Sequence, residues 1–208
     1  SLLFTDAAID ADELDATFRR VVDRTFNCVS IDTDTSTSDS SIVMASGAAG
    51  PVDAAQFEAA LYAVAIDLTK QIARDGEGAK SLIEVHVGGA INPAQAKRVA
   101  KAIVNSPLVK TAVHGGDPNW GRVAMAIGKC SDHTDDQSID QTAVTIRFGT
   151  DEVYPRLLDE AALAALSGYM SGTDVLIHVS LGLGESESTV WGCDLSDTYV
   201  RFNADYTT

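Results

Sequence analysis

A chain of 208 residues has room for one domain or two small ones and buries well over half of its unfolded surface without help from disulfides. Its 45% hydrophobic and 22% charged content exclude disordered, collagen-like and coiled-coil classes, and no apolar run approaches the roughly 18 residues needed to cross a bilayer. The net charge of -15, from 30 acidic against 15 basic residues, repels a phosphate backbone, so no nucleic acid is expected as a partner.

In chain order, Ser1-Leu2-Leu3-Phe4-Thr5-Asp6 lacks the basic region and longer apolar core of a secretory signal. Asp10 followed by Glu13 has the form of a capping box, and Leu14, Phe18, Val21 and Val22 then share one helical face. Residues 26–31 and 41–44 read as short strands flanking a polar loop, 32–40, able to hydrogen-bond its own backbone. Phe57, Leu61, Val64, Ala65, Leu68 and Ile72 make the stripe of a second helix that ends near Gly76. A strand at 82–87 leads through Gly88-Gly89 to Asn92-Pro93, an N-cap and first-turn proline for a third helix. Asp117-Pro118 predicts another helix start, and 132–140 an acidic turn. A strand at 144–148, a helix around 157–166 and strands near 175–181, 189–191 and 198–201 complete the chain. The expected class is mixed α/β, with layered sheets and helices outside them and no strict βαβ rhythm. A boundary near Ser81 divides it into 1–80 and 81–208.

Cys28, Cys130 and Cys193 have no CxxC or CxxH spacing and read as reduced core residues, in keeping with a cytoplasmic protein. No GxSxG, Walker loop, GxGxxG, HExxH or EF-hand loop is present. His86 and His178 fall on strands, where hydrogen-bonded structural roles are commoner than base catalysis. Asp32, Asp34 and Asp39 lack an EF-hand's glycine and distal glutamate and are assigned to turns, so no metal is expected. Ser1 is the residue with chemical potential, because a free α-amine near pKa 7.7–8.0 beside a primary hydroxyl can take the hydroxyl proton during attack on a carbonyl. A start exposed by removal of methionine is the plain alternative.

Three stretches carry a resemblance. Residues 30–39 (Ser-Ile-Asp-Thr-Asp-Thr-Ser-Thr-Ser-Asp), Asn105-Ser106-Pro107-Leu108-Val109-Lys110-Thr111-Ala112 and Gly116-Asp117-Pro118-Asn119-Trp120-Gly121-Arg122 resemble the β chain of the ornithine acetyltransferases, the glutamate N-acetyltransferase family. Asp75-Gly76-Glu77-Gly78 and the final Arg201-Phe202-Asn203-Ala204-Asp205-Tyr206-Thr207-Thr208 follow that family in the same order, so the likeness spans the whole chain. Thr33 and Ser38 stand where the arginine-pathway enzymes usually have Gly and Asn, and resemble the paralogue of clavulanic acid gene clusters.

The resemblance implies an N-terminal-nucleophile-like fold with a smaller C-terminal α/β domain. It further implies a precursor that cleaves itself and a ping-pong transfer of acetyl from N2-acetyl-L-ornithine to L-glutamate. Ser1 matches the nucleophile, although the family has threonine there and a few more residues before Thr5-Asp6-Ala7. Glu77 matches a contact to substrate ammonium, as suits a carboxylate, and Asn203 and Thr208 match C-terminal substrate contacts. Lys110 could steady a substrate carboxylate. Asp117, Asn119 and Arg122 read as scaffold. An α chain from the same precursor would supply the oxyanion hole, giving an α2β2 heterotetramer, with no cofactor, no metal and no membrane. An aminopeptidase or amidase of the same superfamily, and an amino-acid-binding subunit without turnover, remain open alternatives.

Overall fold

The computed structural model describes residues 1–131 and 139–205. It has eight strands and seven helices among the described residues, in the mixed α/β class that the sequence indicates. The strands are β1 (Leu2–Ala8), β2 (Val29–Ser30), β3 (Ile42–Pro51), β4 (Leu82–Ala90), β5 (Thr145–Phe148), β6 (Asp151–Tyr154), β7 (Asp174–Ser180) and β8 (Ser186–Cys193). The helices are α1 (Ala11–Arg24), α2 (Ala54–Arg74), α3 (Pro93–Val104), α4 (Pro107–His114), α5 (Trp120–Gly128), α6 (Glu160–Met170) and α7 (Asp197–Ala204).

β1 and β3 form a parallel two-stranded sheet, with Leu2 opposite Ile42 and Phe4 opposite Met44. The other six strands form one mixed sheet in the order β2-β8-β4-β7-β5-β6. At its centre β4 runs parallel to β7 and antiparallel to β8. Alternation decides which face is buried. Ile83, Val85, Val87, Ile177, Val179, Ile146 and Phe148 enter a core that also takes Val99 and Ile103 of α3 and Val123 and Ile127 of α5. Glu84, His86 and His178 stand on the half-exposed opposite face. There His86 Nδ1 lies 3.1 Å from Thr189 Oγ1 and the two imidazoles meet edge to face, as structural histidines would. A second apolar cluster joins Leu3 to Val21, Leu61 and Ala65 under the small sheet.

Caps fix several boundaries where the sequence places them. The Asp10 carboxylate accepts from the amides of Asp12 and Glu13, and Asn92 Oδ1 accepts from Gln95 N ahead of Pro93. Other elements differ from expectation. Residues 26–28 form a 3-10 turn, leaving only Val29–Ser30 as strand. α5 begins at Trp120, so Pro118 precedes the helix and Asp117 does not cap it; Asp117 instead lies 3.4 Å from the Arg122 guanidinium. Residues 198–201, rich in strand-forming types, lie inside helix α7. The expected acidic turn at 132–140 lies mostly outside the described residues. All three cysteines are buried and free.

Candidate functional site

Two chain segments meet at the end of α2. The first is the turn that closes the helix: Asp75 caps it, Gly76 and Gly78 follow, and Glu77 projects between them. Gly78 adopts φ +67°, which favours glycine, and a Cβ there would lie 2.7 Å from the Tyr199 backbone nitrogen. Gly76 sits equally close to its neighbours, since a Cβ would meet Cys193 Sγ at 2.6 Å. Both glycines therefore permit the second segment, residues 193–203, to lie directly on the turn.

That segment leaves β8, crosses Asp194 and Ser196, and continues as α7. Ser196 Oγ donates to the Gly78 carbonyl at 2.7 Å and accepts from the Tyr199 amide at 3.1 Å, capping α7 while fastening it to the turn. One turn further along, Asn203 Nδ2 donates to Glu77 Oε2 at 2.6 Å and to the Tyr199 carbonyl at 3.0 Å. Glu77 and Asn203, assigned to one site by resemblance alone, are thus brought into contact, and both are exposed. The Glu77 carboxylate is exposed, so beyond its bond to Asn203 it keeps lone pairs facing solvent. Thr208 lies outside the described residues.

The loop before β3 closes another side. Asp32 Oδ1 accepts from the Asp34 amide at 3.1 Å, and Asp32 Oδ2 accepts from the Tyr199 hydroxyl at 3.1 Å. Burial and the hydrogen bond to Asp32 both raise the Tyr199 phenol above its ordinary value, so it stays protonated and serves as a donor. At the far end of this loop the Ser40 carbonyl accepts from the Ser1 amine at 2.7 Å, and Ser1 returns a carbonyl to the Ile42 amide at 3.0 Å. Ser1 is therefore seated at the beginning of the small sheet.

Beneath the turn lies a polar group in which the sequence singles out only Lys110. Asp194 is buried; its Oδ1 accepts from the Lys80 and Ser81 amides, each at 2.8 Å, and its Oδ2 from His114 Nδ1 at 2.7 Å. Lys110, also buried, donates from Nζ to the Cys193 carbonyl. Burial holds its ammonium below the ordinary lysine value against the pull of Cys193, Asp194 and Asp32. Lys110 thus grips backbone inside the protein and does not present its charge to the exposed Glu77 side. Arg122 behaves as scaffold, donating to the Leu108 carbonyl at 2.8 Å and tying α5 to α4. Burial raises the Cys28, Cys130 and Cys193 thiols, which leaves them protonated and weakly nucleophilic.

The whole chain, residues 1–208, matches the ArgJ family. The chain belongs to the ArgJ family. Relatives of this ArgJ chain include the glutamate N-acetyltransferase Oat2 of Streptomyces clavuligerus, 60% identical over 98% of this chain and 52% of the relative. The arginine biosynthesis bifunctional protein ArgJ 2 of Nostoc sp. is 58% identical over 100% of this chain and 53% of its own length. The ArgJ chain accordingly spans about half the length of these curated relatives. The crystal structure of the arginine biosynthesis bifunctional protein ArgJ from Bacillus halodurans superposes with a TM-score of 0.90 at 40% identity, covering 99% of this chain and 98% of that one.

Proposed function

We propose that this ArgJ chain is the β chain of a glutamate N-acetyltransferase, moving acetyl from N2-acetyl-L-ornithine to L-glutamate through an acyl-enzyme. The observation that carries the reading is the Glu77–Asn203 contact, which brings residues 126 positions apart into one exposed polar site. A carboxylate steadied by an amide and retaining outward lone pairs is suited to an ammonium, the group that ornithine and glutamate share. The name of the Streptomyces clavuligerus relative, a glutamate N-acetyltransferase, supports acetyl transfer to glutamate.

In this reading the Ser1 hydroxyl attacks the acetyl carbonyl while the terminal amine takes its proton. Collapse of the tetrahedral intermediate returns that proton to the departing ornithine nitrogen and leaves an acetyl ester. The glutamate amine then attacks the ester, and the hydroxyl is regenerated. The loop joining Ser40 to Asp32 supports this placement, because it links the Ser1 end of β1 through Tyr199 to the helix that carries Asn203. Thr208 is proposed as a further substrate contact on the strength of the family resemblance alone. No organic cofactor or metal takes part.

The oxyanion donors would come from the other half of the precursor, as an α chain, with the pair assembling as α2β2 in the cytoplasm. Two observations support a two-chain protein: this chain matches about half of its curated relatives yet 98% of the crystallised Bacillus halodurans chain. The small sheet also leaves Leu2, Phe4, Ile42 and Met44 exposed on one face, an apolar surface fit to be covered. No helix among the described residues is long and apolar enough to cross a membrane.

The test is to co-produce this chain with the upstream half of its precursor, add N-acetylornithine and weigh each chain intact. An acetyl group that maps to Ser1 and is discharged by glutamate is the expected result. Acetylation at another residue would remove Ser1 from the role of nucleophile. Release of acetate without glutamate would mark an amidase, and ornithine binding with no acetylation would mark a subunit without turnover.

A further inference from the structure

We propose that Asp194, braced by His114, is the positioning residue of the amino-acid site, setting Glu77 and Asn203 at their working separation. The inference rests on the proposed site and assigns it a control point that touches no substrate. Asp194 has a fully buried side chain whose exposure is 0%, whereas Glu77 and Asn203 are exposed. Removing a carboxylate from water is unfavourable unless its lone pairs are met, and here donors reach both oxygens. Those donors come from two places: the Lys80 and Ser81 amides on one oxygen, and His114 of α4 on the other.

The positions of the donors give the network its consequence. Lys80 and Ser81 lie in the short stretch between the Glu77 turn and β4, and Asp194 itself precedes Ser196, the cap of the helix that carries Asn203. A single carboxylate therefore couples the segment bearing one binding residue to the segment bearing the other. The Asp194 amide reinforces the coupling by donating to the Ser81 carbonyl at 3.1 Å, and Ser196 pins Gly78. α4 supplies the fixed reference. His114 holds Asp194 from the last turn of that helix, and Lys110, one turn earlier, holds the Cys193 carbonyl beside it. Without the His114 N–H, one oxygen of a buried carboxylate loses its partner, and the least costly relief is a shift of residues 193–196 toward water. α7 moves with them, and the spacing of Asn203 from Glu77 changes.

The test uses the complete two-chain enzyme with four variants, measuring ornithine binding by calorimetry and the kinetics with both amino-acid substrates. His114→Leu deletes the donor; His114→Asn places an amide N–H near the position of Nδ1. His114→Leu is expected to raise the Kd for ornithine and both KM values about tenfold while kcat changes less than about twofold. His114→Asn should return binding to within about threefold of the unchanged enzyme. Should His114→Leu fail to fold, Asp194→Asn keeps an acceptor for Lys80 and Ser81 while removing the charge, and is expected to weaken ornithine binding several-fold at unchanged kcat.

Unaltered ornithine affinity in His114→Leu, or in Asp194→Asn where it stands in for that variant, overturns the proposal. So does a loss confined to thermal stability or kcat, or the absence of rescue by His114→Asn. Glu77→Gln separates the two levels of the argument. Lost affinity in Glu77→Gln with full affinity in His114→Leu removes the positioning role and leaves the site. Full affinity in Glu77→Gln removes the site, and the positioning role with it.

Discussion

At the scale of the residue, the site depends on side chains that make two bonds at once. Ser196 Oγ is a donor to the Gly78 carbonyl and an acceptor from the Tyr199 amide, so truncation frees one group on each of the two packed segments. Ser196→Ala is expected to lower stability by about 1 kcal/mol, the usual effect of losing a helix cap, and to be read by thermal unfolding. Arg74 and Asp174 give a second case with a pH dependence. The Arg74 guanidinium at the end of α2 hydrogen-bonds Asp174 at the start of β7, holding its carboxyl below the ordinary value of 3.8. Because the folded value is the lower one, the pair's contribution is present above 3.8 and is lost as pH falls through the folded value. Both side chains are substantially exposed, so Asp174→Asn should destabilise by only about 0.5 kcal/mol at neutral pH. Urea unfolding at descending pH should show the variant and the unchanged protein converging below the carboxylate range.

At the scale of the element, the turn after α2 is the least replaceable piece. Gly78 combines φ +67° with backbone lying 2.7 Å from where a Cβ would be, and neither condition is relieved by a rotamer change. Gly78→Ala is expected to cost roughly 2–4 kcal/mol and to separate Glu77 from Asn203, so calorimetric melting and ornithine binding should fall together. The glycines around Glu77 were visible in the sequence, and so were the elements with strong local signals. Asp10, Asn92-Pro93 and the stripe from Phe57 to Ile72 mark α1, α3 and α2 because capping and 3.6-residue periodicity are properties of neighbouring residues. α7 was not legible in that way. Thr198, Tyr199 and Val200 favour strands, and no α7 residue is buried to supply an apolar stripe; its hold is the Ser196 cap and the bonds of Tyr199 and Asn203. Ser196 itself, a good cap residue followed by Asp197, was the available signal. β1 was equally hidden, because only Leu3 and Ala7 of its seven residues are buried. Asp194 and His114 are 80 positions apart, a pairing that no periodicity encodes. Resemblance to a family supplied Glu77 and Asn203 as separate residues, and tertiary structure supplied their contact.

At the scale of the whole molecule, the small sheet stands out for an apolar face left exposed. Two strands do not make an independently stable sheet, and β1 and β3 gain support on one face from Leu3 against Val21, Leu61 and Ala65. The opposite face presents Leu2, Phe4, Ile42 and Met44, with Phe4 70% exposed and in register with Met44. Two like-sided pairs on adjacent strands form a continuous apolar patch, and covering it would stabilise by roughly 25 cal/mol per Å². The upstream half of the precursor is the proposed occupant, so a charge at the centre of the patch should act on assembly before it acts on chemistry. Phe4→Asp would bury an unpaired carboxylate in that interface and is expected to weaken association with the upstream half at least about 30-fold. Size-exclusion chromatography with light scattering on the co-produced chains measures this directly. A full-sized complex from Phe4→Asp would place the partner on another surface. Separation of the chains, with the Val21–Leu61–Ala65 side of the sheet unaltered by the substitution, would place it on this one.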